Sequence, residues 1–497
     1  MVALVFPPGW YYPTVPVDLT AVAGGLEARG VPVVQVDLNA RGAAVLLGDV
    51  HAELSTDEGW DADLDARVSA VSARESEVGR GSGCRWAWPG EPQYAEDSGD
   101  LRIALELAAT RNPYAGRFDL EPLLAASVVA VAWVHPGQLV PLLGLVGELR
   151  SLGYTGRIVV YGGLEDVLEP RSLGLTPDHA LLDVVDAVLL GDPVPTLAAL
   201  AEGRRPEEGV LDRSGVGDPT PSALYPPVFT GLSRQYGTPT PVVDVRWSVG
   251  CSWDRCTFCA IPAHHRYRLQ PLDDLVLGME RAEATLGTRR FRLRDDLLAP
   301  AQTERLARAL EGRGWHWMHR ARFDAGWTEA RLVAARRAGL GEIWFGLESA
   351  VPRVRALIDK GVDSEVVDAN LEACAAAGIR ARLLVIAGLP GETAAEFAET
   401  VAFLKARRDR VCGFALTAFQ LMRDAPLARS GEVELLDDPV PERFRLRWTL
   451  PFAYRDGTPA HVWQNRVSSA LFGFMEWPSG AAALGPTHAW VESTRQA

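Results

Sequence analysis

The stretch Gly250-Cys251-Ser252-Trp253-Asp254-Arg255-Cys256-Thr257-Phe258-Cys259 lies just past the middle of the chain, directly after an apolar run over 241–249. It holds three of the six cysteines, in the spacing C-x4-C-x2-C. Cysteine thiolates are the usual ligands of iron–sulfur clusters, and four of them saturate a cubane. Three leave one iron open, as a catalytic metal keeps a position for its substrate. The spacing therefore predicts a cluster on Cys251, Cys256 and Cys259, with one iron free to bind a small chelating ligand.

A structural zinc site is the alternative interpretation of the same residues. His264 follows Cys259 after four residues, so the three cysteines and this histidine match a Cys3His zinc site. The remaining cysteines, Cys84, Cys374 and Cys412, are scattered, as is typical of ordinary small side chains rather than ligands. Six cysteines in 497 residues do not make a disulfide framework, which favours a reducing cytoplasm.

Downstream of the cysteines, short apolar strands alternate with helices. The predicted strands are Thr288–Leu293, Trp315–Phe323, Glu342–Phe345, Arg380–Ile386 and Gly413–Thr417. Repeated β/α units predict a closed or partial barrel, in which chemistry sits at the carboxyl ends of the strands. Charged and glycine-rich residues stand at those ends, which places candidate binding groups there.

The N-terminal third also alternates strands with helices. The predicted strands are Val2–Phe6, Pro32–Leu38, Ser127–Val134, Arg157–Tyr161 and Asp186–Leu190, and a helix over 18–29 has Asp18 as its possible N-cap. This pattern predicts a Rossmann-like, doubly wound parallel sheet that binds ligands beyond the carboxyl ends of its strands. Glycines at tight strand-to-helix turns have a purely structural use as well.

Composition limits the class of partner. The net charge of −14 argues against nucleic acid, because binding to phosphate needs a basic surface. No run of about 18 apolar residues suggests a membrane span, and the N-terminus has no basic segment typical of a signal peptide. We therefore expect a cytoplasmic protein of several domains that binds neither nucleic acid nor membrane.

Taken together, these motifs resemble the radical S-adenosylmethionine (SAM) superfamily, over roughly residues 241–430. The usual spacing there is C-x3-C-x2-C, so the extra residue between Cys251 and Cys256 is a departure. The form Cys-x-Trp-x-Arg-Cys-x-Phe-Cys is similar to a variant in members that carry an N-terminal cobalamin-binding domain. The resemblance implies a 4Fe–4S cluster whose open iron binds SAM, so that the cofactor carries the difficult step.

The resemblance also implies which side chains contact cofactors. Phe258 lies inside the cysteine motif, Asp295 and Asp296 would lie near the SAM methionyl group, and Arg322 with Asp324 would end the third strand. Glu348 and Ser349 would reach the SAM ribose or carboxylate, and Lys360-Gly361 fits a helix turn. The residues implied to line the adenine are Ile386, Gly388 and Leu389. The alternative for each charged residue is an ion pair at the barrel rim.

The N-terminal domain resembles the cobalamin-binding domain of such enzymes. The two turns that carry this likeness contain Gly162-Gly163 and Gly191, and the D-x-H-x-x-G motif of many other B12 proteins is absent. The loop after the first strand instead contains Trp10, Tyr11 and Tyr12. Trp10 and Tyr11 are therefore candidates to cover the lower face of cobalamin, with simple packing as the alternative.

These patterns give four segments. They are a cobalamin-binding domain over 1–202, a linker rich in proline and glycine over 203–240, a radical SAM partial barrel over 241–428, and a small α/β extension over 429–497. In the extension, Phe444–Pro451 is predicted as a strand and His461–Phe474 as a helix. The extension closes over substrate or simply packs on the barrel.

The resemblance implies a cobalamin-dependent radical SAM enzyme that methylates an unactivated carbon of a small molecule or a peptide. Its cofactors are the 4Fe–4S cluster, SAM and cobalamin, and an external electron donor of flavodoxin or ferredoxin type is implied. A radical reaction without methyl transfer (cyclisation, rearrangement or oxidation) is the first alternative. A zinc-stabilised binding protein is the second. RNA methylthiolation is disfavoured by the acidic charge.

Overall fold

The computed structural model describes residues 1–9, 14–47, 84–88, 91–94, 99–162, 173–219, 223–232, 241–447 and 449–472. The chain forms two compact units. The first comprises Met1–Val245, Asp273–Thr288 and Pro439–Trp448, and the second comprises Arg246–Leu272, Arg289–Asp438 and Thr449–Ala497. Each unit is thus discontinuous, whereas the sequence predicts one continuous segment per domain. In the described part of the chain, no helix combines the length and apolarity needed to cross a membrane.

The first unit contains eleven described strands and seven described helices. The strands are β1 (Val2–Phe6), β2 (Thr14–Val15), β3 (Val33–Asp37), β4 (Cys84–Trp88), β5 (Glu91–Tyr94), β6 (Val128–Trp133), β7 (Arg157–Gly162), β8 (Ala187–Leu189), β9 (Val210–Asp212), β10 (Gly215–Val216) and β11 (Val242–Val245). The helices are α1 (Val17–Glu27), α2 (Leu38–Leu47), α3 (Leu101–Thr110), α4 (Glu121–Leu124), α5 (Leu139–Ser151), α6 (Pro193–Ala201) and α8 (Leu272–Leu286), the last continuing from the second unit. An additional helix, α7, precedes α8 in the chain and belongs to the second unit.

The main sheet of this unit has the order β10-β9-β8-β7-β6-β1-β3. Strands β3, β1, β6, β7 and β8 run parallel, with Val5 opposite Val131 and Val160 opposite Val188. One apolar cluster, on the face of α3 and α5, and another, on the face of α1 and α6, cover the two sides of the sheet. The sheet is doubly wound, as predicted, because each strand presents apolar side chains to both faces.

Two predictions for this unit differ from the structure. Helix α1 begins after Pro16, which caps it without a side-chain hydrogen bond. Asp18 is instead buried in the first turn. Within the predicted linker, β9 and β10 form an antiparallel hairpin that extends the sheet next to β8. The apolar residues Val210 and Leu211 are buried there, and this burial outweighs the surrounding proline and glycine.

The second unit contains nine described strands and seven described helices. The strands are β12 (Ser248–Val249), β13 (Arg268–Leu269), β14 (Arg290–Leu293), β15 (His316–Ala321), β16 (Leu340–Glu348), β17 (Arg380–Ala387), β18 (Gly413–Ala418), β19 (Val433–Leu435) and β20 (Phe452–Tyr454). The helices are α7 (Ile261–His264), α9 (Pro300–Leu310), α10 (Glu329–Arg337), α11 (Pro352–Leu357), α12 (Ser364–Ala376), α13 (Ala394–Ala406) and α14 (His461–Phe472).

Strands β14 to β18 lie side by side in chain order and pair in parallel. Helices α9 to α13 connect them, so this part of the unit is a partial (β/α) barrel. Phe345 lies opposite Leu383, and Val385 lies opposite Leu416, which keeps the five strands in register. Since the strands are parallel, their carboxyl ends meet at one edge, where the candidate residues follow the strands.

The segment predicted as a strand over Phe444–Pro451 is not one. A short 3-10 turn covers Glu442–Phe444, and the strand begins only at Phe452. Leu446 is buried in the apolar core of the first unit, and its backbone N–H donates to the Gly99 carbonyl at 2.9 Å. The apolar residue Leu446 of this segment therefore serves the core of the first unit rather than a strand. The predicted helix of the extension is confirmed over His461–Phe472.

Candidate functional site

The cysteine loop, residues 250–259, starts where β12 ends. Gly250 has a φ of 74°, in the left-handed region, and a Cβ there would lie 2.9 Å from the His265 carbonyl oxygen. Only glycine fits this turn without strain. The three thiols that follow are half-buried and free. The backbone N–H of Cys259 donates to the Cys256 carbonyl at 3.2 Å, which folds the second and third cysteines into one turn.

The thiols of this loop influence one another. Burial raises the pKa of Cys256 to about 11, and the neighbouring Cys251 adds to the rise. Burial also raises the pKa of Cys259, with Cys256, Cys251 and Asp296 contributing. Neighbouring, partly buried thiols are hard to ionise on their own, because burial and mutual repulsion disfavour the thiolates. A bound metal favours the thiolate form, so these thiols bind a metal more readily than they ionise alone. The donor set therefore fits an iron–sulfur cluster.

The same geometry bears on the zinc alternative. His264 Nε2 lies 3.1 Å from the Asp424 carboxylate, so the imidazole has a partner other than the thiols. Among the residues that the structure describes, no group of three or more His, Cys, Asp or Glu side chains is placed to hold a single metal ion. Neither observation places His264 together with the three thiols around one ion.

A second loop, residues 358–361, packs against the cysteine loop. The Thr257 N–H donates to the Ile358 carbonyl at 3.1 Å, and the Trp253 indole N–H donates to the Asp359 carbonyl at 2.9 Å. Gly361, with a φ of 60°, faces the Trp253 ring, which a Cβ at this position would overlap. The two loops therefore hold one another, and the second loop fixes the direction of the cysteines.

Arg322 joins both loops at the end of β15. Its guanidinium lies 3.6 Å from the centre of the Trp253 ring, and its Nε donates to the Lys360 carbonyl at 3.0 Å. Asp324 is 3.8 Å away. Burial lowers the pKa of Arg322, while Asp324 and the two nearer cysteines raise it. The side chain predicted as a cofactor contact thus positions the cysteine loop by a cation–π contact.

Glu348 ends β16 in an unusual conformation. Its φ is 61°, and the register with β17 shifts at this point. The carboxylate accepts a hydrogen bond from Lys360 Nζ at 2.7 Å, and both side chains are about nine-tenths buried. A left-handed φ at a non-glycine residue is uncommon and concentrates at functional sites. Glu348 is thus placed beside the cysteine loop, as part of a buried ion pair.

The two aspartates after β14 have different surroundings. Asp295 is fully buried and accepts hydrogen bonds from the Trp247 N–H at 3.2 Å and from the Ser248 N–H and hydroxyl. Burial raises its pKa, and these bonds lower it only in part. Asp296 is half-buried and close enough to Cys259 to raise the pKa of that thiol. Asp295 therefore anchors the strand before the cysteines, and Asp296 lies on the cysteine side.

Hydrogen bonds and the packing of a tryptophan ring fix the turn after β17. Gly388 has a φ of 81°, its N–H donates to Glu392 at 2.6 Å, and its carbonyl accepts from the Tyr454 hydroxyl at 2.5 Å. Trp463 covers it, since a Cβ on Gly388 would lie 2.5 Å from that ring. Burial raises the pKa of Glu392 to about 7. Residues of the C-terminal extension thus fix the turn predicted to line adenine.

The remaining predicted residues of the second unit lie nearby. Ser349 is buried and its Oγ lies 3.2 Å from Thr400 Oγ1. Ile386 is half-buried and Leu389 is buried, on either side of the Gly388 turn. Phe258 is half-buried between two of the cysteines. Strand ends and the cysteine loop therefore bring the predicted set to one edge of the barrel.

In the first unit, the chain leaves β1 for β3 and later returns to the other side of β1 at β6. This is the switch point at which doubly wound sheets bind ligands. Gln138 links the two loops that follow β1 and β6 at this switch point. Its Nε2 donates to the Pro7 carbonyl at 3.0 Å, and its Oε1 accepts from the Val134 N–H at 2.8 Å. His135 is neutral there, since burial lowers its pKa to about 4. The carboxyl edge at the ends of β1 and β6 is the candidate cobalamin edge.

The predicted residues of this edge are only partly described. Gly162 ends β7, and Gly191 follows β8 with a φ of 75°. Trp10, Tyr11 and Gly163 lie outside the described residues.

Sequence reasoning missed the positioning roles of Lys360, Tyr454 and Glu392. Tyr454 contacts a residue 66 positions away in sequence, and no local pattern marks it. Lys360 carries one signal, because only it and Lys405 are lysines among the 50 basic residues of the chain. His135 and Gln138 follow a buried strand at the switch point, so their position after β6 was the available clue.

Comparison with known proteins agrees with this geometry. Residues 245–404 match the family described as the Radical SAM superfamily. The curated ribosomal protein uS12 methylthiotransferase RimO of Chlorobium phaeobacteroides (strain BS1) is 26% identical over 228 residues, which is 43% of this chain and 49% of that protein. The chain thus spans about half the length of this curated relative. The cysteine loop and strands β14 to β17 lie inside the matched family region.

Two solved structures are similar along nearly the whole chain. The radical S-adenosylmethionine methyltransferase TsrM from Kitasatospora setae, solved with cobalamin and a 4Fe–4S cluster, has a TM-score of 0.59 at 17% identity and covers 96% of this chain and 89% of its own. The cobalamin-dependent radical enzyme OxsB has a TM-score of 0.57 at 13% identity and covers 99% of this chain and 71% of its own. This likeness shows that the three chains share a fold.

Proposed function

We propose that this chain, whose residues 245–404 form a radical SAM domain, is a cobalamin-dependent radical SAM methyltransferase. One observation carries the proposal. Three free cysteines in one loop stand at the carboxyl edge of a partial barrel, in a chain that also contains a doubly wound sheet with a switch point at β1. A cluster domain alone would not need the second fold. The pairing of both folds in TsrM and OxsB supports the same conclusion.

The residues present define how each cofactor would be held. Cys251, Cys256 and Cys259 would ligate the cluster, which when bound supplies the electron that cleaves SAM, while cobalamin supplies the carrier for a methyl group. Asp296 is placed to accept hydrogen bonds from an ammonium group near the third cysteine. The Gly388 turn offers backbone groups and an apolar wall to a purine. Its rigidity comes from Tyr454 and Glu392.

The substrate class we propose is a small molecule or a short peptide. TsrM has been solved with tryptophan as substrate and a SAM analogue, so L-tryptophan is the first probe to test with this chain. The acidic charge supports a substrate other than nucleic acid. We further propose that a flavodoxin- or ferredoxin-type protein supplies the electron, and that cobalamin lies at the switch point near Gly162 and Gly191.

The experiment combines binding with product analysis. Protein reconstituted with iron and sulfide under anaerobic conditions is mixed with cobalamin, a low-potential reductant and SAM that carries a deuterated methyl group. L-Tryptophan and related aromatic amino acids are then supplied. We expect stoichiometric binding of cobalamin, reductant-dependent formation of 5′-deoxyadenosine, and a deuterated product that appears together with S-adenosylhomocysteine.

The outcomes separate the candidate functions. Formation of 5′-deoxyadenosine without S-adenosylhomocysteine, in the presence of a consumed substrate, would contradict methyl transfer and favour a non-methylating radical reaction. Protein that loads a cluster but neither binds cobalamin nor cleaves SAM would contradict the proposal as a whole. A colourless protein that contains zinc would favour the binding-protein alternative.

A further inference from the structure

Lys360 and Glu348 form a buried ion pair at the end of β16. The ammonium and the carboxylate are 2.7 Å apart, and the two residues are 8% and 6% exposed. Taking two charges out of water is costly, and a buried pair often stabilises a fold less than apolar residues of the same size. Its presence here therefore points to a use other than stability.

The pair occupies a space that the backbone is shaped to leave. A Cβ on Gly346 would lie 2.7 Å from both Glu348 Oε1 and Lys360 Nζ, so a larger residue there would displace the contact. Glu348 itself and Asp359, which precedes Lys360, have positive φ values, of 61° and 49°. Backbone strain of this kind persists only where surrounding structure enforces it. The backbone at the end of the strand is thus shaped around the ion pair.

The pair lies directly beside the cysteine loop. Two residues before Lys360, the Ile358 carbonyl accepts a hydrogen bond from Thr257, which follows Cys256 in the chain. The Trp253 indole N–H donates to the carbonyl of Asp359, the residue just before Lys360. These bonds fix the ammonium relative to the second cysteine.

The two charges of the pair act in opposite senses on charge held at the cysteine loop, because the ammonium stabilises added negative charge and the carboxylate opposes it. Both side chains are buried, so solvent and salt screen these interactions little. A one-electron reduction of a cluster at Cys256 adds one negative charge close to the ammonium.

We propose that Lys360 is a positioning residue that sets the reduction potential of the cluster, with Glu348 as its opposing charge. This inference rests on the proposed function, since it needs a cluster on the three cysteines. The ammonium stabilises the cluster after it accepts an electron from an external low-potential donor, and the carboxylate opposes that gain. The pair keeps the potential high enough for such a donor to reduce the cluster, while Glu348 limits the effect.

The test is a redox titration of the cluster without SAM, monitored by electron paramagnetic resonance. Lys360→Met should move the midpoint to more negative potential, so that the ratio of reduced to oxidised cluster at a fixed potential falls at least tenfold, equivalent to about 59 mV. Glu348→Gln should move the midpoint in the opposite direction. Lys405→Met, which replaces the other lysine on exposed α13, should leave it unchanged.

Opposite shifts are the decisive result, because a purely structural role would weaken the cluster in both variants without giving shifts of opposite sign. Unchanged potentials, or shifts of the same sign, would overturn the inference. If Lys360→Met does not retain a cluster, Glu348→Gln decides alone: a more positive midpoint supports the inference, and any other result overturns it. Wild-type protein that takes up no cluster would instead contradict the proposed function.

Discussion

Asp295 and Asp296 are neighbours after β14, yet their carboxylates have different tasks. The Asp295 carboxylate accepts hydrogen bonds from Trp247 and Ser248, which belong to the segment that leads into the cysteine loop. Asp296 lies nearer to Cys259. A pair of adjacent carboxylates at a strand end predicts a polar site. Which of the two carboxylates forms hydrogen bonds within the fold depends on a segment more than 40 residues away in sequence.

Replacing Asp295 by alanine should destabilise the protein strongly. Two buried backbone N–H groups and one hydroxyl would lose their acceptor, and each buried donor without a partner costs about 1–3 kcal/mol. We expect the free energy of unfolding to fall by at least about 2 kcal/mol in chemical denaturation. The half-buried Asp296→Ala is the matched control and should lose less. Equal losses would argue against the anchoring role of Asp295.

Glu392 gives a pH dependence whose sign is fixed by its burial. Its folded pKa of about 7 lies above the ordinary value of 4.5, because burial penalises the ionised carboxylate. This group therefore destabilises the fold progressively as the pH rises from about 4.5 to about 7, and the penalty is complete above that window. Glu392→Gln should gain stability relative to wild type as the pH rises, by up to roughly 3 kcal/mol.

The measurement is urea unfolding of both proteins between pH 5 and 7.5. Glu396→Gln, in the first turn of α13, is the control, because a hydrogen bond from Arg353 lowers the pKa of Glu396 to about 2. That carboxylate stays ionised throughout the window, so the difference from wild type should be constant. A Glu392→Gln difference that does not change with pH would show that Glu392 is ionised in the folded protein.

At the scale of elements, the site depends on two loops that hold each other. The cysteine loop supplies the thiols. Carbonyl groups of residues 358–361 accept hydrogen bonds from the Thr257 backbone N–H and from the Trp253 indole N–H of that loop. The C-terminal extension has a similar role toward the Gly388 turn, through Tyr454 and Trp463. In both cases a loop that carries a motif is made rigid by residues outside that motif.

Gly361→Ala should separate the two loops. Its φ of 60° disfavours a side chain, and the added Cβ would overlap the Trp253 ring. We expect a lower yield of reconstituted cluster, measured as iron and sulfide bound per chain, while circular dichroism remains that of wild type. Gly312→Ala is the control, because its φ of 76° imposes similar strain and no atom lies within 4 Å of the new Cβ. Equal cluster loss in both variants would assign the effect to strain alone.

The strands and helices of both parallel sheets could be predicted from sequence, since their apolar runs and glycine stops are local signals. Strand β16 is nonetheless longer than the predicted Glu342–Phe345, because a bulge carries it through to Glu348. The segment over 444–451 was predicted wrongly, since its buried residues serve a contact with distant Gly99. The spacing of the cysteines identifies them in the sequence. The contact of Lys360 with Glu348, by contrast, can be recognised only in the folded chain, where β16 and the second loop meet.

At the scale of the whole molecule, each compact unit contains one candidate site at the carboxyl edge of a parallel sheet. Burial of apolar strands between helices fixes both edges and leaves side chains such as that of Asp296 half-buried there. Discontinuous units could not be predicted from the order of elements, because residues 273–288 and 439–448 join the first unit through tertiary packing. The proposed division of labour, cobalamin in one unit and the cluster with SAM in the other, follows from these two edges.

The most direct test is electron paramagnetic resonance of the anaerobically reconstituted and reduced protein, recorded with and without SAM. We predict a reduced 4Fe–4S signal that changes when SAM is added, because one iron is open to it. Cys251→Ala, Cys256→Ala and Cys259→Ala should each lose the cluster, whereas Cys412→Ala should keep both the signal and its response. A cluster that survives loss of any of the three cysteines, or a signal indifferent to SAM, would contradict the central claim that three thiolates hold a cluster with one open iron.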